Sequence, residues 1–245
     1  MKHLLLLCVF FLGLFVPKAQ TMEGAWKLTS LNGEAVTNRE VIKIVQDGYF
    51  ALGSRDAVDN SFLGAAGGEF RIDNEKLIEI RDFDTYDDSK IGIEHQYLMT
   101  WVNESRIQLS SATSFKVWER VSVNKYDLNG NWVITGRQRD GEMKTITPGD
   151  RRTIKIIGGG RFQWIAFNSD AKTLGASGGG TYTAQKGVYT EHIRFFSKDK
   201  DRVGAVLKFN YEVINGEWHH QGNSSKGQPI FEIWSPYQDT YQKKV

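Results

Sequence analysis

The chain of 245 residues consists of two related halves, and this internal repeat restricts its fold more than any other feature. Six segments of the first half recur in the same order in the second half. The matched segments are 24–28 with 130–134, 42–45 with 154–157, 63–70 with 174–182, 79–81 with 191–193, 91–92 with 203–204, and 115–118 with 231–234. This collinear order at a nearly constant spacing predicts two homologous units, residues 22–122 and 128–238, joined near residues 124–127.

Within each unit, residues alternate with the period of two that is expected of a β-strand with one buried face. The alternating sets are His95, Tyr97, Met99 and Trp101 in the first unit and Ala205, Leu207, Phe209, Tyr211 and Val213 in the second. The glycine runs 158–160 and 178–180 predict turns or bulges, and helix is expected only at Arg151-Arg152 and near residues 197–202. The pattern therefore indicates an all-β chain.

The number of short strands predicts how each unit is closed. Several short antiparallel strands in about 100 residues leave unpaired edges unless the sheet curls onto itself. Each unit is therefore predicted to form a small up-and-down antiparallel β-barrel. The chain as a whole is expected to contain two such barrels in tandem.

Two groups of residues add a resemblance to a known family. The residues concerned are Gly24-x-Trp26, Gly130-x-Trp132 and the blocks 178–183 and 189–193. The first two resemble the Gly-x-Trp of the lipocalin (calycin) group, which implies that the tryptophan closes the bottom of each barrel beneath a ligand cavity. The two blocks are similar to a set of lipocalin-like secreted bacterial proteins. Both units differ from ordinary lipocalins in being shorter, duplicated and free of cysteine.

The N-terminus has the three parts of a secretory signal peptide. Lys2 precedes a 13-residue apolar run at residues 4–16, and the small residue Ala19 follows. The run is too short for a membrane-spanning helix, which needs about 20 residues. Cys8 lies among leucines and lacks the small neighbour that lipid attachment would need. We therefore predict that residues 1–19 direct export, to the periplasm or outside the cell, without a membrane anchor.

Composition excludes several classes of partner and cofactor. Removing residues 1–19 takes away Lys2, Lys18 and the only cysteine, and leaves 29 basic residues against 29 acidic ones. Such a neutral chain lacks the concentrated positive charge that nucleic-acid binding requires. The adjacent His219 and His220 would point to opposite faces of a strand, so they are not expected to share a metal ion. We predict no metal and no other cofactor.

His95 and Tyr97 form the first candidate catalytic pair. They share the strand face that is expected to point inward, where an imidazole beside a phenol can exchange protons near neutral pH. The alternative is a histidine of the core that is hydrogen-bonded to the backbone or to Tyr97.

His192 and Arg194 form the second candidate pair. They share one strand face, whereas Glu191 belongs to the opposite face. Both units have the glutamate, at Glu79 and Glu191, but the first unit has Ile80 where the second has His192. A position that differs between duplicated units is a better candidate for function than one that both retain. The alternative is a solvated strand face.

Aromatic residues suggest how a sugar could be held. The chain has seven tryptophans and nine tyrosines, and aromatic faces stack on the apolar faces of sugar rings. The candidate substrate-binding residues are Trp164, Tyr189 and Trp218. The alternative is that they belong to the core, as most aromatic residues do.

Two functions fit these observations. One is a binding protein that holds a small ligand or an oligosaccharide, as the lipocalin resemblance implies. The other is an enzyme, because similar secreted proteins resemble accessory proteins of polysaccharide-degrading bacteria, which include small dehydratases acting on unsaturated uronate oligosaccharides. That second resemblance implies elimination of water from an anionic oligosaccharide. In such a reaction Arg194 would neutralise the acid group, while His95, Tyr97 and His192 would transfer protons.

Overall fold

The computed structural model describes residues 20–122 and 124–241, and its strands confirm the predicted all-β fold. The expected signal peptide, residues 1–19, lies outside the described residues. In the first half the strands are β1 Gly24–Leu31, β2 Glu34–Ala35, β3 Arg39–Gln46, β4 Tyr49–Asp56, β5 Phe62–Asp73, β6 Lys76–Asp84, β7 Glu94–Asn103, β8 Arg106–Ser110 and β9 Phe115–Ser122. In the second half they are β10 Gly130–Arg139, β11 Glu142–Thr145, β12 Arg151–Gly158, β13 Arg161–Asn168, β14 Thr173–Gln185, β15 Val188–Phe196, β16 Val206–Ile214, β17 Glu217–Asn223 and β18 Pro229–Pro236.

Each half closes into an antiparallel barrel of eight strands, as predicted. In the first half β1 pairs with β3, each later strand pairs with the next, and β9 pairs back with β1. The second half repeats this order from β10 to β18, where β18 pairs with β10. The short strands β2 and β11 only extend the first strand of their barrel as a hairpin. Closure satisfies both sheet edges, which is why such short strands are stable.

The repeated Gly-x-Trp tryptophans occupy equivalent places in the two barrels. Both indole rings belong to the core cluster of their own barrel. Trp26 donates from Nε1 to the carbonyl oxygen of Met22 at 2.8 Å, and Trp132 donates to that of Leu128 at 2.9 Å. The hydrogen bond satisfies the indole N–H in an apolar core and holds the segment before the first strand against the barrel.

The expected helix at Arg151-Arg152 is wrong, because both residues begin strand β12. Pairing with β13 along its whole length overrides the local turn-like sequence before it. The second expected helix is confirmed as a single 3₁₀ turn, Lys200–Arg202, and a matching turn, Asp88–Lys90, lies in the first half. A short helix, α1 Tyr237–Thr240, follows β18.

The two barrels pack through an apolar seam made by the outer faces of their strands. Its buried residues are Ile44, Tyr49, Ala51, Ala65 and Phe83 from the first barrel, and Val133, Ile154, Ile156, Ile165, Phe167 and Tyr237 from the second half. In β12, Ile154 and Ile156 face the seam while Lys155 points into its own barrel, so both faces are buried. The two halves therefore share a core of their own between the barrels.

A buried ion pair crosses this seam. Arg152 of β12 contacts Asp82 of β6 at 2.7 Å, and both side chains are almost fully enclosed. The hydroxyl of Tyr49 donates to the same carboxylate at 3.0 Å. Removing one partner of a buried pair leaves an uncompensated charge, so this contact favours one relative placement of the barrels.

The second glycine run, 178–180, forms a bulge rather than a turn. The register of β14 against β15 shifts between Gly179 and Gly180, and β5 against β6 shifts at the equivalent Gly68. A Cβ at Gly180 would overlap the carbonyl oxygen of His192, which belongs to the backbone and cannot rotate away. Only glycine therefore permits this approach of two strands.

Alanine at position 180 is expected to destabilise the protein by roughly 1–3 kcal/mol or more, because the bulge would have to open. Gly149→Ala provides the matched control, since its Cβ would meet nothing within 4 Å. Urea unfolding of both variants at neutral pH measures the difference. Equal stability of the two variants would contradict this role of the bulge.

Candidate functional site

The interior of the first barrel opens into a cavity of about 600 Å³. Strands β3, β6, β7 and β9 direct their inward residues into it. The lining side chains that matter for chemistry are Arg39, Arg81, His95, Tyr97, Lys116 and Trp118. A volume of this size matches the clefts that hold small molecules.

Three ion pairs form a connected polar network at the floor of this cavity, which Arg81 lines. Glu79 accepts from Lys43 at 2.5 Å, and Arg81 lies 3.6 Å from the other oxygen of the same carboxylate. Arg81 also pairs with Asp84. Burial opposes ionisation of Glu79, but the charges of Lys43 and Arg81 outweigh it and lower the pKa of this carboxyl. The floor is therefore charged but internally compensated.

Lys116 and Arg39 are cations at the cavity without such compensation. In the part of the chain that the structure describes, neither forms an ion pair, and the buried Nε of Arg39 has no hydrogen-bond partner. Burial, followed by repulsion from Lys43, lowers the pKa of Lys116 from 10.5 to about 8. The Nζ of Lys116 lies 5.0 Å from the ring centroid of Tyr97. The cavity therefore has a surplus of positive charge that an anion would neutralise.

His95 and Tyr97 both line this cavity, where alternation along β7 places them on the inward face. The Nε2 of His95 lies 2.9 Å from the carbonyl oxygen of Lys90. Because a carbonyl only accepts, Nε2 is the protonated nitrogen and Nδ1 is the acceptor of the neutral ring. Arg81 donates to the hydroxyl of Tyr97 at 3.2 Å, while burial and Glu79 raise the pKa of Tyr97 to about 12. The phenol therefore stays protonated at neutral pH.

The second barrel retains the lysine–glutamate pair but differs around it. Lys155 contacts Glu191 at 2.9 Å, as Lys43 contacts Glu79. At the position of Lys116 this barrel has Glu232, which accepts from His220 at 2.9 Å. Arg137, which lines a second cavity of about 580 Å³, also pairs with Glu232. The interior charges of this barrel are therefore satisfied by one another.

Glu232 makes the second barrel sensitive to acid. Burial alone would favour the neutral acid, but the hydrogen bond from His220 and the charges of Arg137 and Lys155 lower the pKa of Glu232 to about 2. A carboxyl with a lowered pKa in the folded state stabilises it above the unfolded value of about 4.3, and this contribution is lost as the pH falls toward 2.

Glu232→Gln is therefore expected to flatten the fall of unfolding free energy between about pH 4.5 and pH 2.5. Urea titrations at several pH values measure this slope, and Glu119→Gln on the barrel surface is the control. An unchanged slope in the Glu232 variant would contradict the lowered pKa of Glu232.

Burial also lowers the pKa of His220, so protonation of this imidazole adds to the acid sensitivity of the protein nearer pH 6.

The structure divides the four candidate catalytic residues between two places. His95 and Tyr97 lie in the cavity of the first barrel. His192 and Arg194 are exposed on the outer face of β15. The inward face of this strand is occupied by Tyr189, Glu191 and Ile193. The geometry therefore does not combine all four residues in one site.

Two of the three candidate sugar-binding aromatics belong to the core of the second barrel, and the third packs against it. Tyr189 and Trp218 are completely buried, and their rings meet edge to face with centroids 5.1 Å apart. Trp164 is half-buried and packs on Phe196 with ring centroids 5.3 Å apart. No ring face of Tyr189 or Trp218 is accessible for stacking on a sugar. For Tyr189 and Trp218 the alternative interpretation, that they are core residues, is therefore correct.

Sequence reasoning overlooked the cations of the first cavity, although the repeat contained a signal for two of them. Lys116 aligns with Glu232, and Arg81 aligns with Ile193, so both positions differ between the units. The comparison of duplicated units was applied to His192 instead, whose side chain faces outward. A difference between equivalent positions of the two units identifies a cavity residue only if it is known which face of the strand points inward.

Two further observations concern all of the described residues. Over residues 20–122 and 124–241, no three histidine or acidic side chains come together in a way that could hold a metal ion. Within the same ranges, no helix has both the length and the apolar character needed to cross a membrane.

Comparisons with known proteins give structural similarity only. No protein family model matches the chain, and no curated protein matches it. A lipocalin-like protein from Bacteroides uniformis ATCC 8492 aligns with 16% identity over 40% of this chain and 96% of its own, with a TM-score of 0.33. An uncharacterised protein from Bacteroides eggerthii DSM 20697 aligns with 12% identity over 40% of this chain and 98% of its own, with a TM-score of 0.32.

Proposed function

We propose that the protein binds a small carboxylate-bearing ligand in the cavity of the first barrel. The observation that supports this most directly is that Lys116 and Arg39 line this open cavity without an ion-pair partner among the described residues. A carboxylate there would gain charge-assisted hydrogen bonds, which are stronger when water is excluded. We also propose that the protein acts outside the cytoplasm, with residues 1–19 as its export signal.

Leu31, Leu52 and the largely buried Trp118 contribute an apolar wall to the same cavity. An acidic sugar has both an anionic group and an apolar ring face, so its two chemical faces match the two kinds of wall. A uronate, alone or at the end of an oligosaccharide, is therefore the ligand class that this cavity fits best.

Titration calorimetry with an unsaturated uronate disaccharide tests the proposal. The native protein should bind it, and the methyl ester of the same disaccharide should bind much more weakly because its acid group is neutral. Lys208→Met, at an exposed position of β16, removes one charge elsewhere and should bind as the native protein does. Equal affinity for the acid and its ester would contradict an anion site.

A second proposal, elimination of water from the same ligand, rests on the position of His95 and Tyr97. Both line the cavity that contains the free cations. With a saturated uronate, Nδ1 of His95 could accept the proton on C5, next to the carboxylate, while the phenol of Tyr97 donates its proton to the hydroxyl that leaves C4, so that a C4=C5 double bond and one water molecule form. The cations would stabilise the negative charge that develops on the carboxylate.

Mass spectrometry of a saturated uronate disaccharide separates the two proposals, because elimination lowers the mass of this ligand by one water molecule. His95→Gln should abolish this loss while leaving binding measurable, and His192→Gln, on the outer face of β15, should not change it. Binding without any loss of water would leave the protein as a carrier and refute the enzymatic proposal.

A further inference from the structure

A groove of about 270 Å³ lies at the edge of the seam, where outer faces of the two barrels meet. Strands β3 and β4 of the first barrel line one side, and β13 to β15 of the second barrel line the other. The side chains that define its chemistry are Glu40, Arg55, Arg161, Gln163, Arg194 and Phe195. Binding sites often form at such junctions because two surfaces create a concave shape.

The charges in this groove are unbalanced. Three guanidinium groups line it, whereas Glu40 is its only lining carboxylate among the described residues. Glu40 is already engaged, because Arg55 donates to one of its oxygens from Nε at 3.1 Å and from a terminal nitrogen at 2.9 Å. Among the described residues, Arg161 and Arg194 form no ion pair. The groove therefore has two cations without a partner.

Arg161 shows the electrostatic consequence of this crowding. Burial lowers the pKa of its guanidinium, and the positive charges of Arg194 and Arg55 lower it further against the attraction of Glu40. Like charges brought together on a partly buried surface cost free energy in the folded state. A bound anion would remove that cost.

The floor of the groove is rigid. Phe195 of β15 stacks on Phe62 of β5 across the seam, with ring centroids 5.9 Å apart. A Cβ at Gly53 would lie 2.6 Å from the ring of Phe195, so the barrels approach as closely as the backbone allows. Gln163 donates from Nε2 to the hydroxyl of Ser177 at 3.1 Å. The arginines therefore extend from a surface that does not need to rearrange on binding.

We infer that this groove binds a tetrahedral oxyanion, a sulfate or phosphate group, between Arg161 and Arg194 with Arg55 at its edge. The planar donor fork of arginine matches the paired oxygens of such groups. Three arginines and one glutamate leave a surplus of two positive charges, which a free sulfate matches in full and a singly charged sulfate ester matches in part. The anion would connect the two barrels, because Arg55 belongs to the first and the other two arginines to the second. This site is separate from the cavity proposed above.

The anion can be free or attached to a sugar, and titration calorimetry of the full chain distinguishes the two sources. The probes are inorganic sulfate and glucose 6-sulfate, each in chloride buffer of constant ionic strength. Arg161→Gln and Arg194→Gln should each weaken binding by roughly tenfold or more, as expected for a lost charge-assisted hydrogen bond. Binding of both probes supports recognition of the anion itself, and binding of glucose 6-sulfate alone supports a sugar-linked anion.

Two control variants keep this test specific. Arg106→Gln removes an exposed arginine that pairs with Glu119, and Lys208→Met removes an exposed lysine of β16. Both should bind the sulfate probes as the native protein does. Arg194 is exposed, so its replacement is not expected to affect folding, and circular dichroism checks this. Failure of both probes to bind, or equal weakening by Arg106→Gln, would overturn the inference.

Discussion

Replacing Lys155 by methionine is expected to lower the free energy of unfolding by about 3–5 kcal/mol, because it leaves Glu191 charged and buried without its partner. The two side chains are 6% and 5% exposed, so water cannot replace the lost contact. Lys155 also lies within about 5 Å of the ring centroids of Tyr189, Trp218 and Trp234, which adds cation–π attraction to the loss.

A double-mutant cycle separates the ion pair from these other contacts. Glu191→Gln alone should also destabilise, while the double variant Lys155→Met with Glu191→Gln should lose clearly less than the sum of the two. Glutamine keeps an acceptor for the hydroxyl of Tyr189, which donates to Glu191 at 2.8 Å. Urea unfolding followed by tryptophan fluorescence measures all three variants. Strictly additive losses would show that the pair does not act as a unit.

Lys208→Met is the matched control for this series. It makes the same substitution on an exposed strand face of the same barrel, where changes usually stay within about 0.5 kcal/mol. A large effect there would indicate that loss of positive charge, rather than loss of a buried partner, destabilises the protein.

Affinity for a carboxylate ligand is expected to fall roughly tenfold or more between about pH 7 and pH 9.5, because the cavity needs the charged form of Lys116. The ammonium is largely charged below its pKa of about 8 in the unliganded protein and becomes neutral above it. An ionised uronate keeps its own charge throughout this range. Calorimetry with the uronate disaccharide at several pH values measures the dependence.

Two variants assign the pH dependence to this one side chain. Lys116→Met should weaken binding by about 10- to 100-fold near pH 7 and remove the dependence on pH. Lys116→Arg should retain binding over the whole range, since a guanidinium stays charged at pH 9.5. A pH dependence that persists in the methionine variant would show that another group is responsible.

The same pKa shift has the opposite sign for the stability of the unliganded protein. A lysine with a lowered pKa binds fewer protons in the folded state than in the unfolded state between about pH 8 and pH 10.5. The contribution of Lys116 to the free energy of unfolding therefore rises with pH in this window, while ligand affinity falls. The two trends together identify the titrating group more firmly than either one alone.

The repeat and the two-residue alternation were sufficient to predict the fold class and the closure of each unit. They succeeded because a strand with one buried face leaves a direct pattern in the sequence, as in His95 and Tyr97 of β7. They failed where a second packing surface intervened. Arg152 follows a turn-like segment, but its strand is stabilised by β13 and its side chain by Asp82 in the other barrel.

The candidate site was predicted only in part, for a related reason. His95 and Tyr97 do line the cavity, but the orientation of β15 could not be decided from residues 188–196, since both of its faces contain polar groups. Arg39, Arg81 and Lys116 belong to three different strands, and no local spacing connects them. Closure of the barrel brings them to the same cavity.

Residue order by itself therefore determined that this chain is a duplicated, all-strand protein with a glutamate at one equivalent position in each half. The tertiary structure decided which charges remain unpaired. Pairing depends on distances between strands far apart in the chain, so Glu79 and Glu191 find lysine partners while Lys116 and Arg161 have none among the described residues. Both proposed binding sites lie where positive side chains have no ion-pair partner among the described residues. Burial makes an unpaired charge costly, so a bound anion is favourable there.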